Sequence, residues 1–208
     1  MTDYAQDGIR NAVMTGDQRT GGEQLDDLIG VAFHEAAHCV VGRALGRGVD
    51  HVVIRDNGSG TSYFFAKEGR GGCVVRAVEE VACYFGGLIG ERRGLGSGMA
   101  GRSGAGWRAD LAYIRQLEFD RKGGQPYTST QARQGFFLAI TLLDRLMPFV
   151  KDVARALMCS NERPRRLEGP ALDDLLETAE SCTDVDRERA AQLAESDGIE
   201  GDFSIPAV

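Results

Sequence analysis

One five-residue run, His34-Glu35-Ala36-Ala37-His38, constrains this chain more than any other feature. It sits where Leu25, Leu28, Ile29, Ala32, Phe33, Ala36, Ala37, Val40 and Val41 recur at three- and four-residue spacing, the pattern of a helix with a buried face. Residues four apart in a helix lie on one face, so both imidazoles can point at one metal ion while Glu35 approaches a water on it. Two of the chain's three histidines are in the run. The competing reading is a pair of core histidines satisfied by backbone carbonyls, with Glu35 solvated. Rarity opposes it, because chance places this pattern in on the order of one chain of this size in a few hundred.

A catalytic zinc takes three protein ligands and keeps one position open. Val41 and Ala44 stand where an extended H-E-x-x-H-x-x-G-x-x-H site needs Gly and His, which excludes that version. His51, Glu79, Glu80, Glu91 and Asp110 remain as candidates. His51 heads a strand and reads more simply as an exposed strand-end histidine. Asp110 is more attractive, because it opens a helix directly after a glycine-rich loop that can fold back onto the His34/His38 face.

The rest of the chain reads as mainly α, within an α+β class that holds a small β-hairpin or sheet near the motif helix. Residues 1–24 are polar and poor in large apolar groups, as expected of a flexible N-terminal arm. His51 to Ile54 and Thr61 to Ala66 are β-branched or aromatic runs around Asp56-Asn57-Gly58-Ser59-Gly60, which predicts a hairpin and the only sheet region. Helical spacing returns over Val74 to Arg93, where Gly86-Gly87 permits close backbone approach. The glycines of the 94–106 segment predict a long loop, and Trp107 to Phe119 is helical. Ser129 to Cys159 is a long helical stretch that Pro148 is expected to kink or divide. Pro170 suits the first turn of a short helix through Leu172, Leu175 and Leu176. The resulting organisation is an arm (1–24), one domain (25–180) and an acidic, partly disordered tail (181–208), with a surface helix within Asp184 to Ala194.

Charge and composition remove several functions. A formal net charge of −7 repels phosphates at long range, so no nucleic acid partner is expected. None of Lys67, Lys122 and Lys151 follows a glycine, so the phosphate loop G-x-x-x-x-G-K-[ST] and ATP binding of that type are excluded. Cys39, Cys73, Cys83, Cys159 and Cys182 contain no C-x-x-C pair and read as buried reduced thiols. Arg92-Arg93 with Arg102 and Arg108, and Arg163 with Arg165-Arg166, read as solvated. Neither a secretory leader nor a membrane span is visible, and a cytoplasmic location is the expectation.

The run Val31 to Gly42, V-A-F-H-E-A-A-H-C-V-V-G, resembles the zinc-binding helix of the FtsH-type ATP-dependent zinc proteases, usually H-E-A-G-H-A-V-V-G. The similarity continues in order. Val49 to Ile54 and Gly60 to Phe65 look like that family's strand pair, and Phe85 to Glu91 resembles its G-G-R-x-A-E-E helix. Gly104 to Leu111 resembles its G-A-x-x-D-[IL] segment, and Glu168 to Leu172 its L-[DT]-G-x-E-L turn. The match spans about residues 25–178. Ala37 departs from it, adding a methyl group where the family has glycine. The family's membrane anchor and AAA ATPase module are expected to be absent here.

The resemblance implies a helical zinc-peptidase domain in which Asp110 is the third ligand beside His34 and His38, with Glu91 as runner-up. It implies a zinc metalloendopeptidase whose Glu35 is the general base, acting on peptides or unfolded proteins without an ATPase of its own. Thr61, Ser62, Tyr63 and Phe64 are then the candidate substrate-binding strand, the competing reading being core packing of Tyr63, Phe64 and Phe65. The alternative function is a regulatory module that keeps the fold, either catalytically silent or directed at a single target. Oligomeric state is left open.

Overall fold

The computed structural model describes residues 22–65, 74–96, 106–119 and 129–196. It is mainly helical with a small antiparallel sheet, the expected class. In chain order the elements are α1 (Gly22–Ala44), β1 (Val49–Ile54), β2 (Gly60–Phe64), α2 (Val74–Leu95), α3 (Gly106–Phe119), α4 (Ser129–Cys159), β3 (Arg165–Glu168), α5 (Gly169–Leu176) and α6 (Asp184–Ser196). The motif helix therefore starts at Gly22 and takes the last residues of the expected arm; residues 1–21 lie outside the described part, as does most of the 94–106 loop.

Helices α1, α2 and α4 form the core. Phe33, Phe85, Leu138, Leu142, Leu143 and Leu146 are all but inaccessible to water, and burial of each such side chain contributes about 1.5–3 kcal/mol. The α1/α2 contact is set by glycine at four-residue spacing on α2. A Cβ on Gly94 would lie 2.2 Å from the Phe33 ring, one on Gly90 would lie 2.2 Å from Ala37 Cβ, and one on Gly86 would lie 3.1 Å from Val41 Cγ2. The partners on α1 are also four apart but run in the opposite order, so the two helices pack antiparallel with their backbones close. Gly90 is what makes room for the methyl group of Ala37.

The hairpin is present, but it is not the whole sheet. β3 pairs antiparallel with β1, giving the order β2-β1-β3. Arg165-Arg166-Leu167-Glu168 carries little β signal of its own; a central β1 with Val52 and Ile54 fully buried supplies the template. β1 and β2 pair with Val52 opposite Ser62 and Val53 opposite Thr61, and a register shift lies between Val49 and His51. β2 ends at Phe64, two residues before the expected end; Ala66 lies outside the described residues.

Four further expectations are revised. Pro148 does not divide α4, which is assigned as one helix of 31 residues. The lost backbone hydrogen bond costs about 3 kcal/mol, and buried Leu142, Leu143, Leu146, Val150 and Val153 on both sides of the proline offset it. Residues 184–196 are helical, as expected, but α6 is not wholly a surface helix, because Ala190 and Ala194 are buried; the residues beyond Ser196 lie outside the described part. Thr183 and Asp186 cap α6 reciprocally: the Thr183 N–H donates to Asp186 Oδ2 at 2.7 Å and the Asp186 N–H donates to Thr183 Oγ1 at 3.2 Å. Finally, Cys39 and Cys83 are buried, but Cys159 is exposed and Cys182 half-buried; Cys73 lies outside the described residues. Arg165 is likewise buried rather than solvated.

Candidate metal centre

α1 carries His34 and His38 one turn apart, facing α2 and the start of α3. His34 Nε2 lies 3.1 Å from His38 Nε2, and Asp110 Oδ2 lies 2.9 Å from the former and 3.2 Å from the latter. These three ligand atoms form the group among the described residues that can hold a metal ion. Ligand atoms bound at 2.0–2.1 Å around a tetrahedral ion stand about 3.3 Å apart, so the triangle has nearly the required edge.

Protonation strengthens that fit. His38 Nδ1 lies 2.8 Å from the Cys83 carbonyl, which can only accept, so Nδ1 carries the hydrogen. His34 Nδ1 in turn donates to Glu91 Oε2 at 3.2 Å. Each neutral ring then presents a bare Nε2 lone pair to the other and to a carboxylate oxygen. Three acceptors converging in a buried place repel one another unless a cation or proton sits among them. The titration behaviour reflects the same demand. Burial opposes charge on His34, yet hydrogen bonds to Asp110 and Glu91 outweigh it and raise the pKa. His38 is raised further, again against burial, by Asp110 and the Cys83 carbonyl. Burial alone would lift the Asp110 carboxyl, but the two imidazoles hold it well below the usual carboxylate range.

The supporting residues come from the same α1/α2 register. Cys83, Gly87 and Glu91 are spaced four apart on α2, so the stripe beside the packing glycines faces the imidazoles. A Cβ on Gly87 would lie 2.4 Å from His38 Nε2. Glycine here is a condition for the histidine pair, a role not assigned to it from sequence, where Gly86-Gly87 pointed only to close packing. α3 is placed by Tyr113, one turn beyond Asp110; the Tyr113 ring packs at a tilt of 34° against Tyr84 with centroids 4.7 Å apart.

Glu35 is buried beside the triangle without joining it. Its Oε2 accepts the Ser62 hydroxyl at 2.8 Å, and the same hydroxyl lies 2.9 Å from the Glu35 carbonyl. Gly60 packs on its stem, since a Cβ there would lie 2.4 Å from Glu35 Cγ. Glu35, the three ligand residues, Thr61, Ser62 and Phe64 line one cleft of about 250 Å³.

The other candidates fall elsewhere. Glu91 stands behind His34 as its Nδ1 partner. His51 bonds Asp50 and stacks on Tyr63 with centroids 4.1 Å apart, and Glu79 pairs with Arg187 on α6 at 2.8 Å. Of the expected substrate strand, Thr61, Ser62 and Phe64 reach the cleft, whereas Tyr63 is 40% exposed on the other side. Tyr63 and Phe65 are not core residues, because β2 is an edge strand with one face covered. No protein-family model matches the chain, and no curated protein compared with it matches. No helix among the described residues is long and apolar enough to cross a membrane.

Proposed function

We propose that the chain is a zinc metallopeptidase hydrolysing peptide bonds in peptides or unfolded proteins, akin to the protease domain of the FtsH-type enzymes its motifs resemble. The observation that carries this reading is Glu35: a buried carboxylate in the ligand cleft, held by Ser62 through Oε2, with Oε1 unbonded among the described residues. A purely structural zinc prefers four protein ligands and has no use for a neighbouring base.

His34, His38 and Asp110 would hold the zinc, which when bound would supply Lewis acidity toward a carbonyl and lower the pKa of a water to about 7. Glu35 takes the proton from the attacking water and returns it to the leaving amine. Ser62 holds the carboxylate in one rotamer for both transfers. Glu91 and the Cys83 carbonyl orient the two imidazoles so that Nε2 faces the ion. β2 pairs only with β1 among the described residues, and its other edge is available for an extended peptide to add as a strand along the cleft.

The test is metal content by mass spectrometry on the wild type, Asp110→Ala and Glu91→Ala, with casein and short-peptide cleavage by the wild type and Glu35→Gln. The expected result is one zinc per chain, lost in Asp110→Ala and retained in Glu91→Ala, with cleavage abolished by Glu35→Gln. Zinc without Glu35-dependent cleavage favours the alternative, a regulatory module or a single-target protease. Absence of metal from the wild type would sink the site and the mechanism together.

A further inference from the structure

We propose that Arg47 makes this cleft selective for a peptide that carries a carboxylate close to the bond being cut. The inference rests on the peptidase reading and adds a substrate class to it.

Arg47 follows α1 and lines the same cleft as His34, His38 and Asp110. Its place is determined by a short chain of contacts. Gly42 continues the His34–His38 stripe one turn further, about 6 Å along the helix axis. The Phe64 ring rests on it, since a Cβ on Gly42 would lie 2.3 Å from Phe64 Cε1. The Arg47 guanidinium stands over that ring, 5.9 Å from its centroid. Arg47 thus marks the end of the cleft beyond His38.

The chemistry of the head group follows from what surrounds it. Arg47 is half-buried, and among the described residues its side chain has no ion pair and no hydrogen bond. The aromatic face covers one side of the guanidinium but satisfies none of its five in-plane N–H donors. The two carboxylates of the cleft are engaged elsewhere, Asp110 by the imidazoles and Glu35 by Ser62. A partly desolvated, permanently charged fork with an open edge is a site for a bidentate carboxylate. On a peptide that group is either an acidic side chain or the C-terminal carboxylate.

The experiment uses the zinc-loaded, full-length Glu35→Gln protein and fluorescent hexapeptides of one apolar sequence. Glu is walked through the six positions against Gln, and the C-terminus is either acid or amide. Anisotropy is expected to show the carboxylate form binding about 10–100-fold tighter at one position, the range for a hydrogen-bonded charge. A preference at a walked position identifies an acidic side chain; a preference for acid over amide identifies the C-terminus. The ratio is expected to fall to about one in Arg47→Gln, to invert in Arg47→Glu and to survive in part in Arg47→Lys, with thermal melts checking that each variant folds. Equal binding of every acid and neutral pair, or a preference that persists in Arg47→Gln, would overturn the proposal. The same peptides are then offered to the protein with Glu35 intact. Cleavage without acid selectivity overturns the role of Arg47 alone, and Arg47-dependent selectivity without cleavage overturns the peptidase reading alone. Neither binding nor cleavage overturns both.

Discussion

Replacing Gly87 by alanine isolates the packing on which the metal centre depends. Alanine gains about 1 kcal/mol of helix propensity over glycine, and the same gain applies at the neighbouring Gly86, so the two variants differ only in what the new methyl group meets. At Gly86 it lies 3.1 and 3.2 Å from Val41 side-chain atoms and 3.5 Å from the Ala37 carbonyl, an overlap of a few tenths of an ångström. At Gly87 it lies 2.4 Å from His38 Nε2, 2.7 Å from His38 Cε1 and 2.8 Å from His34 Cε1. The ring of His38 has no free retreat, because Nδ1 is tethered to Cys83 O and the residue is buried. Gly86→Ala is therefore expected to stay within about 1 kcal/mol of wild-type stability, gain and overlap offsetting each other. Gly87→Ala is expected to weaken metal binding by at least about 10–100-fold, the loss found when only the partner of a ligand is altered. Competition against a chromophoric chelator measures the affinity, and chemical denaturation of the metal-free proteins measures stability. If Gly87→Ala holds zinc as tightly as Gly86→Ala does, the imidazoles are not packed as described and the reasoning fails.

Three further predictions test other links. Ser62→Ala is expected to lower kcat by about 10–100-fold while leaving metal content intact, and Ser62→Thr to restore most of the loss, since a hydrogen bond to a charged group contributes about 1.5–3 kcal/mol; an unchanged kcat would deny Ser62 its role. Glu91→Gln keeps the shape but not the charge of the His34 partner, so zinc affinity is expected to fall by about 10–100-fold with one ion still bound at saturation; equal affinities would reduce Glu91 to filling space. Burial disfavours the charged form of Asp186, yet its hydrogen bonds to Thr183 and Arg145 prevail and lower its pKa in the folded state. The stability it adds is thus fully present above the unfolded carboxylate value of about 3.9 and is lost as pH falls through the lower folded one. Asp186→Asn is expected to cost about 1 kcal/mol of capping at pH 7, and thermal melts should show the gap to wild type closing in acid. A gap independent of pH would contradict that account.

Local pattern determined much of this protein. The helical spacing around His34 and His38, the hairpin turn at Asp56 to Gly60 and the helix after Pro170 are written in short-range chemistry, and short-range chemistry is what a sequence displays. The histidine pair is legible for the same reason, since two ligands four residues apart share a face in any helix. Asp110 is legible only through the glycine-rich loop before it and a family resemblance, because no local rule links residues separated by 72 positions. β3 is not legible in the sequence, since Arg165-Arg166-Leu167-Glu168 becomes a strand only through pairing with the buried β1. Pro148 does not divide its helix, because the local penalty is outweighed by burial along 31 residues. Tertiary structure alone decided that Glu91 backs His34 while Asp110 faces it, that Ser62 holds Glu35, and that Gly87 leaves room for both rings. Each depends on the antiparallel register of α1 against α2 or on the seating of β2, and register is a property of two surfaces meeting, which neither segment specifies by itself.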